Sequence, residues 1–108
     1  MPMIHIEYDP AKVTKEQAKQ LAEDMVKFTQ KATGLPDVYG WANASQIRTA
    51  VDPVEILVEL SAHLVPEGPK ALSQPLAANL KQWKVDHNFE LPLNLTVVPM
   101  NWALEIGI

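Results

Sequence analysis

Met1-Pro2-Met3-Ile4-His5-Ile6-Glu7-Tyr8 opens the chain. Ile4 and Ile6 fall on one side of an extended segment, and His5 and Glu7 on the other, which is the period of a strand with one buried face. Proline has no N–H for a ladder, so Pro2 fits only at the head of that strand. If the initiator methionine is removed, Pro2 carries a rigidly held secondary amine, a candidate general base.

Working outward, Asp9-Pro10 turns the chain. Thr14-Lys15-Glu16-Gln17 is a capping box, in which Thr14 accepts from a first-turn N–H and Gln17 reaches back. Ala18, Leu21, Ala22, Met25, Phe28 and Ala32 then recur at helical spacing. Gly34 suits the left-handed residue that closes a helix, and Pro36 prevents continuation. A less regular strand is expected from Val38 to about Ile47. After Asp52-Pro53, Val54-Glu55-Ile56-Leu57-Val58-Glu59-Leu60 alternates as a strand. Pro66-Glu67-Gly68-Pro69 breaks the chain. Leu72, Leu76, Leu80 and Trp83 mark a second helix ending around Asn88. It begins either with Ser73 as cap and Pro75 in the first turn, or near Lys70 with a kink at Pro75. Leu93-Asn94-Leu95-Thr96-Val97-Val98 is a last strand before Pro99, followed by the apolar tail from Met100 to Ile108.

The order strand–helix–strand, strand–helix–strand predicts one domain over 1–108 with repeat halves of about 1–52 and 53–108. Each half suits a parallel pair joined by a right-handed crossover. The expected architecture is an α+β two-layer sandwich, a four-stranded mixed sheet with two helices on one face. Leu57 and Val98 place apolar surface on the uncovered face, which points to oligomerisation.

Composition narrows the chemistry. The 108 residues are 47% hydrophobic and include no cysteine, so disulfides, thiolate chemistry and zinc–sulfur sites are excluded. A net charge of −4 argues against a nucleic-acid surface. No apolar run approaches the roughly 18 residues of a membrane span, and no secretory signal opens the chain. The expected compartment is the cytoplasm. His5, His63 and His87 show no paired ligand spacing, so no metal site is expected. Arg48 is the single arginine among nine basic residues.

Several stretches together resemble the tautomerase superfamily, the group of 4-oxalocrotonate tautomerase, 5-carboxymethyl-2-hydroxymuconate isomerase and macrophage migration inhibitory factor. Met1-Pro2 before an apolar strand is similar to the superfamily's start. Ala32-Thr33-Gly34-Leu35-Pro36 with Tyr39 resembles the helix-to-strand junction of its longer members. Pro53-Val54-Glu55-Ile56-Leu57-Val58 resembles the strand opening their second half, and Met100-Asn101 with Ile106-Gly107 their C-terminal segment. The likeness spans nearly the whole chain. Where long members often carry lysine after Thr-Gly, this chain has Leu35.

The resemblance implies a homotrimer with sheets facing inward, and a cofactor-free keto–enol tautomerase or isomerase of a small 2-oxo or 2-hydroxy-unsaturated acid, with Pro2 as base. A base suited to carbon–oxygen proton transfer has a pKa near neutral. A model α-amine titrates near 8, and apolar burial lowers it. Arg48 would bind a substrate carboxylate in place of the missing lysine. Tyr39, Ser61, Asn101 and Trp102 are candidate substrate contacts. Two alternatives stand beside this reading, a non-catalytic trimeric binding protein of the same fold and a dimeric ferredoxin-like binding module with an antiparallel sheet.

Overall fold

The first helix forms where its start and stop signals place it. In the computed structural model, which describes all 108 residues, Thr14 Oγ1 accepts from the Gln17 N–H at 3.1 Å, and Gln17 Oε1 accepts from the Thr14 N–H at 2.9 Å. This box opens α1 (Lys15–Thr33), and Gly34 closes it at φ 72°. Nothing lies within 4 Å of a Cβ placed on Gly34, so a side chain there meets only the left-handed backbone. Gly34→Ala is therefore expected to cost about 1 kcal/mol, read as a lower urea midpoint at fixed protein concentration.

Around α1 stand β1 (Met3–Tyr8), β2 (Tyr39–Ala44), β3 (Val54–Ser61), a 3₁₀ turn (Ala62–Leu64), α2 (Lys70–Asp86) and β4 (Leu93–Met100). The sheet order is β2-β1-β3-β4. Pairing is parallel within each β-α-β half and antiparallel between β1 and β3, where the halves meet. The sheet is thus mixed, as the element order predicts, rather than the all-antiparallel sheet of the ferredoxin-like alternative.

Both helices cover one face. Ile4, Ile6, Val54, Val58 and Leu60 are wholly buried in the two central strands, and they meet Leu21 and Met25 of α1 and Leu72, Leu76 and Leu80 of α2. Full burial of each such aliphatic side chain is worth about 1.5–3 kcal/mol, so this face holds the fold together. At the edge, a Cβ on Gly40 would stand 2.9 Å from Val26 Cγ2. The absent side chain is what lets α1 pack that closely on β2.

Two local expectations change. The α1 stripe turns through Thr29, which is buried, while Ala32 is exposed. Leu21, Met25 and Thr29 run along one row at four-residue spacing, and that row faces the sheet. Of the two starts considered for α2, the earlier one is realised. The helix begins at Lys70, with Pro75 inside it and no side-chain cap. The Pro69 carbonyl accepts from the Leu72 and Ser73 N–H groups at 3.1 and 3.0 Å. The first turn is therefore complete before Ser73 could cap it.

Register gives the sheet two distinct ends. At one end Pro2 leads into β1, Tyr39 begins β2, and Ser61 at the end of β3 pairs with Met100 at the end of β4. At the other end Tyr8 pairs with Ala44 and Val54, bracketing the 45–53 loop. Six β1 residues separate the two ends, a distance of about 20 Å at strand rise.

Candidate functional site

Pro2 lies at the head of a central strand, and its side chain is fully buried. Its carbonyl accepts the Tyr39 N–H at 3.1 Å. This bond ties the strand head to the start of β2. Directly before it, Met1 lines a cavity of about 190 Å³ together with Ser61, Trp102 and Leu104. The Trp102 indole N–H is buried without a hydrogen-bond partner. An unpaired buried donor costs free energy, and this one belongs to a residue that lines the cavity Met1 helps to close.

Ser61 and Trp102 meet because β3 and β4 run parallel and end together at the Ser61–Met100 pair. Asn101 follows in the same segment, exposed, and Tyr39, 47% exposed, begins β2 beside the strand that Pro2 leads. Pro2, Tyr39, Ser61, Asn101 and Trp102 therefore gather at one end of the sheet. Arg48 does not join them. It lies in the 45–53 loop at the opposite end, where its guanidinium donates to the Asp52 carbonyl. Leu104 is the lining residue that strand and helix periodicity did not single out. Its signal was the alternation of Trp102, Leu104 and Ile106 along the tail.

Larger space exists elsewhere. A groove of about 380 Å³ runs between α1 and β2 over Ala18, Ala22, Val26, Gly40 and Ala42, with Lys15 and Lys19 at its rim. Its lining is mostly small and apolar, with Tyr8 and a loose, exposed Lys19–Glu23 ion pair (3.9 Å) beside it. The smaller cavity is the one with convergent polar groups beside a latent amine, so the chemistry favours it over the volume.

The uncovered sheet face carries a polar network that the strand pattern alone did not reveal. The Ser45 hydroxyl donates to Glu7 Oε2 at 2.6 Å, and His5 Nε2 lies 2.8 Å from Glu7 Oε1. Asn43 Nδ2 is 3.3 Å from His5 Nε2, and the His5 and Trp41 ring centres are 5.2 Å apart. The Glu7 carboxyl is held below the usual carboxylate range, chiefly by the Ser45 hydroxyl; burial opposes this, and Asn43 and His5 add to the lowering. Because the folded protein binds this proton more weakly than the unfolded chain, the contribution is present above the unfolded-state value and fades as pH falls through the folded one. Ser45→Ala is expected to raise the Glu7 pKa, measured by carboxyl NMR titration, and to shrink the acid-side loss of stability. No group of three or more His, Asp or Glu side chains gathers into a metal-holding cluster. No helix is long and apolar enough to cross a membrane.

No family model matches the sequence, and no curated protein matches it. Solved structures do match, over nearly the full chain. Macrophage migration inhibitory factor of Toxoplasma gondii superposes with TM-score 0.67 at 21% identity, covering 97% of each chain. The MIF-like protein of Entamoeba histolytica gives 0.62 at 18%, over 96% of this chain and 95% of its own. A 5-carboxymethyl-2-hydroxymuconate delta-isomerase gives 0.50 at 11%, over 100% and 88%. At these identities the likeness is one of fold. The β-α-β halves, the mixed sheet and the helical layer are shared with these structures.

Proposed function

We propose that this chain, built on the tautomerase-superfamily fold, is a cofactor-free keto–enol tautomerase or isomerase of a small 2-oxo or 2-hydroxy-unsaturated acid, with Pro2 as the general base once Met1 is removed. The observation that carries this reading is the buried position of Pro2 at the strand head, next to the cavity of Met1, Ser61, Trp102 and Leu104. Loss of Met1 does two things there. It turns the Pro2 amide into an amine, and it clears one wall of the cavity.

The amine would take the proton from the enol hydroxyl and return it to carbon, so the base is regenerated in each turnover. Apolar burial disfavours its cation and draws the pKa from about 8 toward neutrality. Negative charge that collects on the substrate oxygens in the enolate needs donors in place before it forms. The partnerless Trp102 N–H and the Ser61 hydroxyl are suited to this, with Tyr39 and Asn101 at the mouth. A homotrimer with uncovered faces turned inward fits the exposed sheet and places the helices outside. The reading also implies a single domain made of two β-α-β repeats, working in the cytoplasm.

The test is enol-to-keto conversion of a panel including phenylenolpyruvate and 2-hydroxymuconate, on protein whose N-terminus has been established by mass spectrometry. Protein beginning at Pro2 is expected to be active. Processed protein that is inert across the panel excludes the enzyme and leaves the non-catalytic binding protein.

A further inference from the structure

The groove between α1 and β2 contains a polar group that the fold leaves without a partner. Tyr8, the last residue of β1, is only 8% exposed and lines the groove. No hydrogen bond joins its hydroxyl to another group of the subunit. A buried phenol usually finds a partner for its O–H, so this one is free to donate to a molecule seated in the groove.

The remaining lining divides into an apolar run and a cationic end. Ala18, Ala22 and Val26 of α1 stand beside Gly40 and Ala42 of β2. Lys15 and Lys19 belong to the first turns of α1, and the short 9–14 connection keeps those turns near Tyr8. The groove's one carboxylate, Glu23, lies 3.9 Å from the Lys19 ammonium, and both side chains are more than half exposed. Such a pair is worth little, so Lys19 can turn to another anion. Two ammonium groups against one carboxylate leave this end with a net positive charge. From Lys15 to Val26 the helix rises about 16 Å. The volume of about 380 Å³ falls within the range of about 300–1,000 Å³ common to small-molecule sites.

We propose that this groove binds an unbranched alkyl carboxylate of medium length. The chain lies over Ala18, Ala22, Val26, Gly40 and Ala42. The carboxylate accepts from the Tyr8 hydroxyl and from the Lys15 and Lys19 ammonium groups, and bonds of this kind to a charged acceptor are the strong ones. The apolar run selects the tail, and the excess of positive charge selects the head. Tyr8 stands at the opposite end of β1 from Pro2, so the site is separate from the strand-head cavity and does not rest on the reaction proposed there.

Titration of the full chain with decanoate, followed by two-dimensional amide NMR and by calorimetry, tests the site. Saturable shifts are expected at the amides of Ala18, Ala22, Gly40 and Ala42. Affinity should rise about threefold to fourfold for each methylene added from hexanoate to decanoate. Decanol and decyltrimethylammonium carry the same chain without the negative head, and each should bind about tenfold more weakly or worse. Tyr8→Phe keeps the ring, and it is expected to weaken decanoate binding about threefold to tenfold with unchanged circular dichroism. The double variant Lys15→Gln, Lys19→Gln changes two exposed side chains and should weaken it about tenfold. Decanoate that fails to saturate, shifts that gather around Pro2 and Trp102 instead, decanol that binds as tightly as decanoate, or full affinity in both variants overturns the proposal.

Discussion

Pro2→Ala is expected to lower kcat for ketonisation of phenylenolpyruvate by about 10²–10⁴-fold, the span that a positioned general base contributes. KM should change little, because the substituted group makes its interaction in the transition state. Loss of the buried ring costs some packing, so circular dichroism of the variant is read alongside its kinetics. The bond that holds the strand head is made by the Pro2 carbonyl to the Tyr39 N–H, and alanine keeps it. Alanine also keeps a terminal amine, so net charge is unaltered. What it removes is the secondary amine and the ring that fixes the nitrogen in its buried place. The unsubstituted protein should show kcat/KM rising with pH through the amine pKa, with its inflection below the ordinary α-amine value of about 8. Unchanged kcat in Pro2→Ala would assign the base elsewhere.

Trp83→Ala is expected to destabilise the fold by about 3–5 kcal/mol, as buried aromatic truncations do. Trp83 is 4% exposed and packs between the helices, with its ring centre 5.4 Å from Phe89 and 4.5 Å from His87. Its indole N–H donates to Asp24 Oδ2 at 2.8 Å, and so joins α2 to α1 across 59 positions of sequence. The same carboxylate oxygen accepts from Gln20 at 2.9 Å, so Asp24 is not stranded when the indole is lost. Trp83→Phe separates the two effects, since it retains most of the packing and forfeits the bond to a charged acceptor, for a cost of about 1.5–3 kcal/mol. Total stability of a domain is only about 5–15 kcal/mol. The alanine variant should therefore be largely unfolded in moderate urea, where the unsubstituted protein is folded. An equal loss in both variants would put the whole effect in the hydrogen bond.

These residues also show what was legible in the sequence. Thr14, Gln17 and Gly34 act through neighbours three or four positions away, so the pattern around α1 contained both of its ends. The alternation from Val54 to Leu60 fixed which side chains face the helices. Bonds between distant segments were another matter. Trp83 read as a stripe residue, and nothing near it in sequence pointed to Asp24. The start of α2 was open because local rules favoured Ser73, while the Pro69 carbonyl had already organised the turn. In the candidate site, Pro2, Ser61 and Trp102 were legible as individuals. Their meeting follows from strand register, which periodicity alone does not set. Arg48 was legible as the only guanidinium, but parallel pairing of β1 and β2 carries it to the far end of its own sheet.

The outer strands have a consequence for how the isolated subunit behaves in solution. β2 and β4 border the sheet, and neither Tyr39–Ala44 nor Leu93–Met100 contains a charged residue. Charged side chains, lysine above all, are a common guard against stray strand pairing, and here Pro99 is the sole blunting residue. Diluted or freshly synthesised chains would thus present two adhesive borders. A lysine placed on either border, as in Thr96→Lys, is therefore expected to raise the soluble yield on expression.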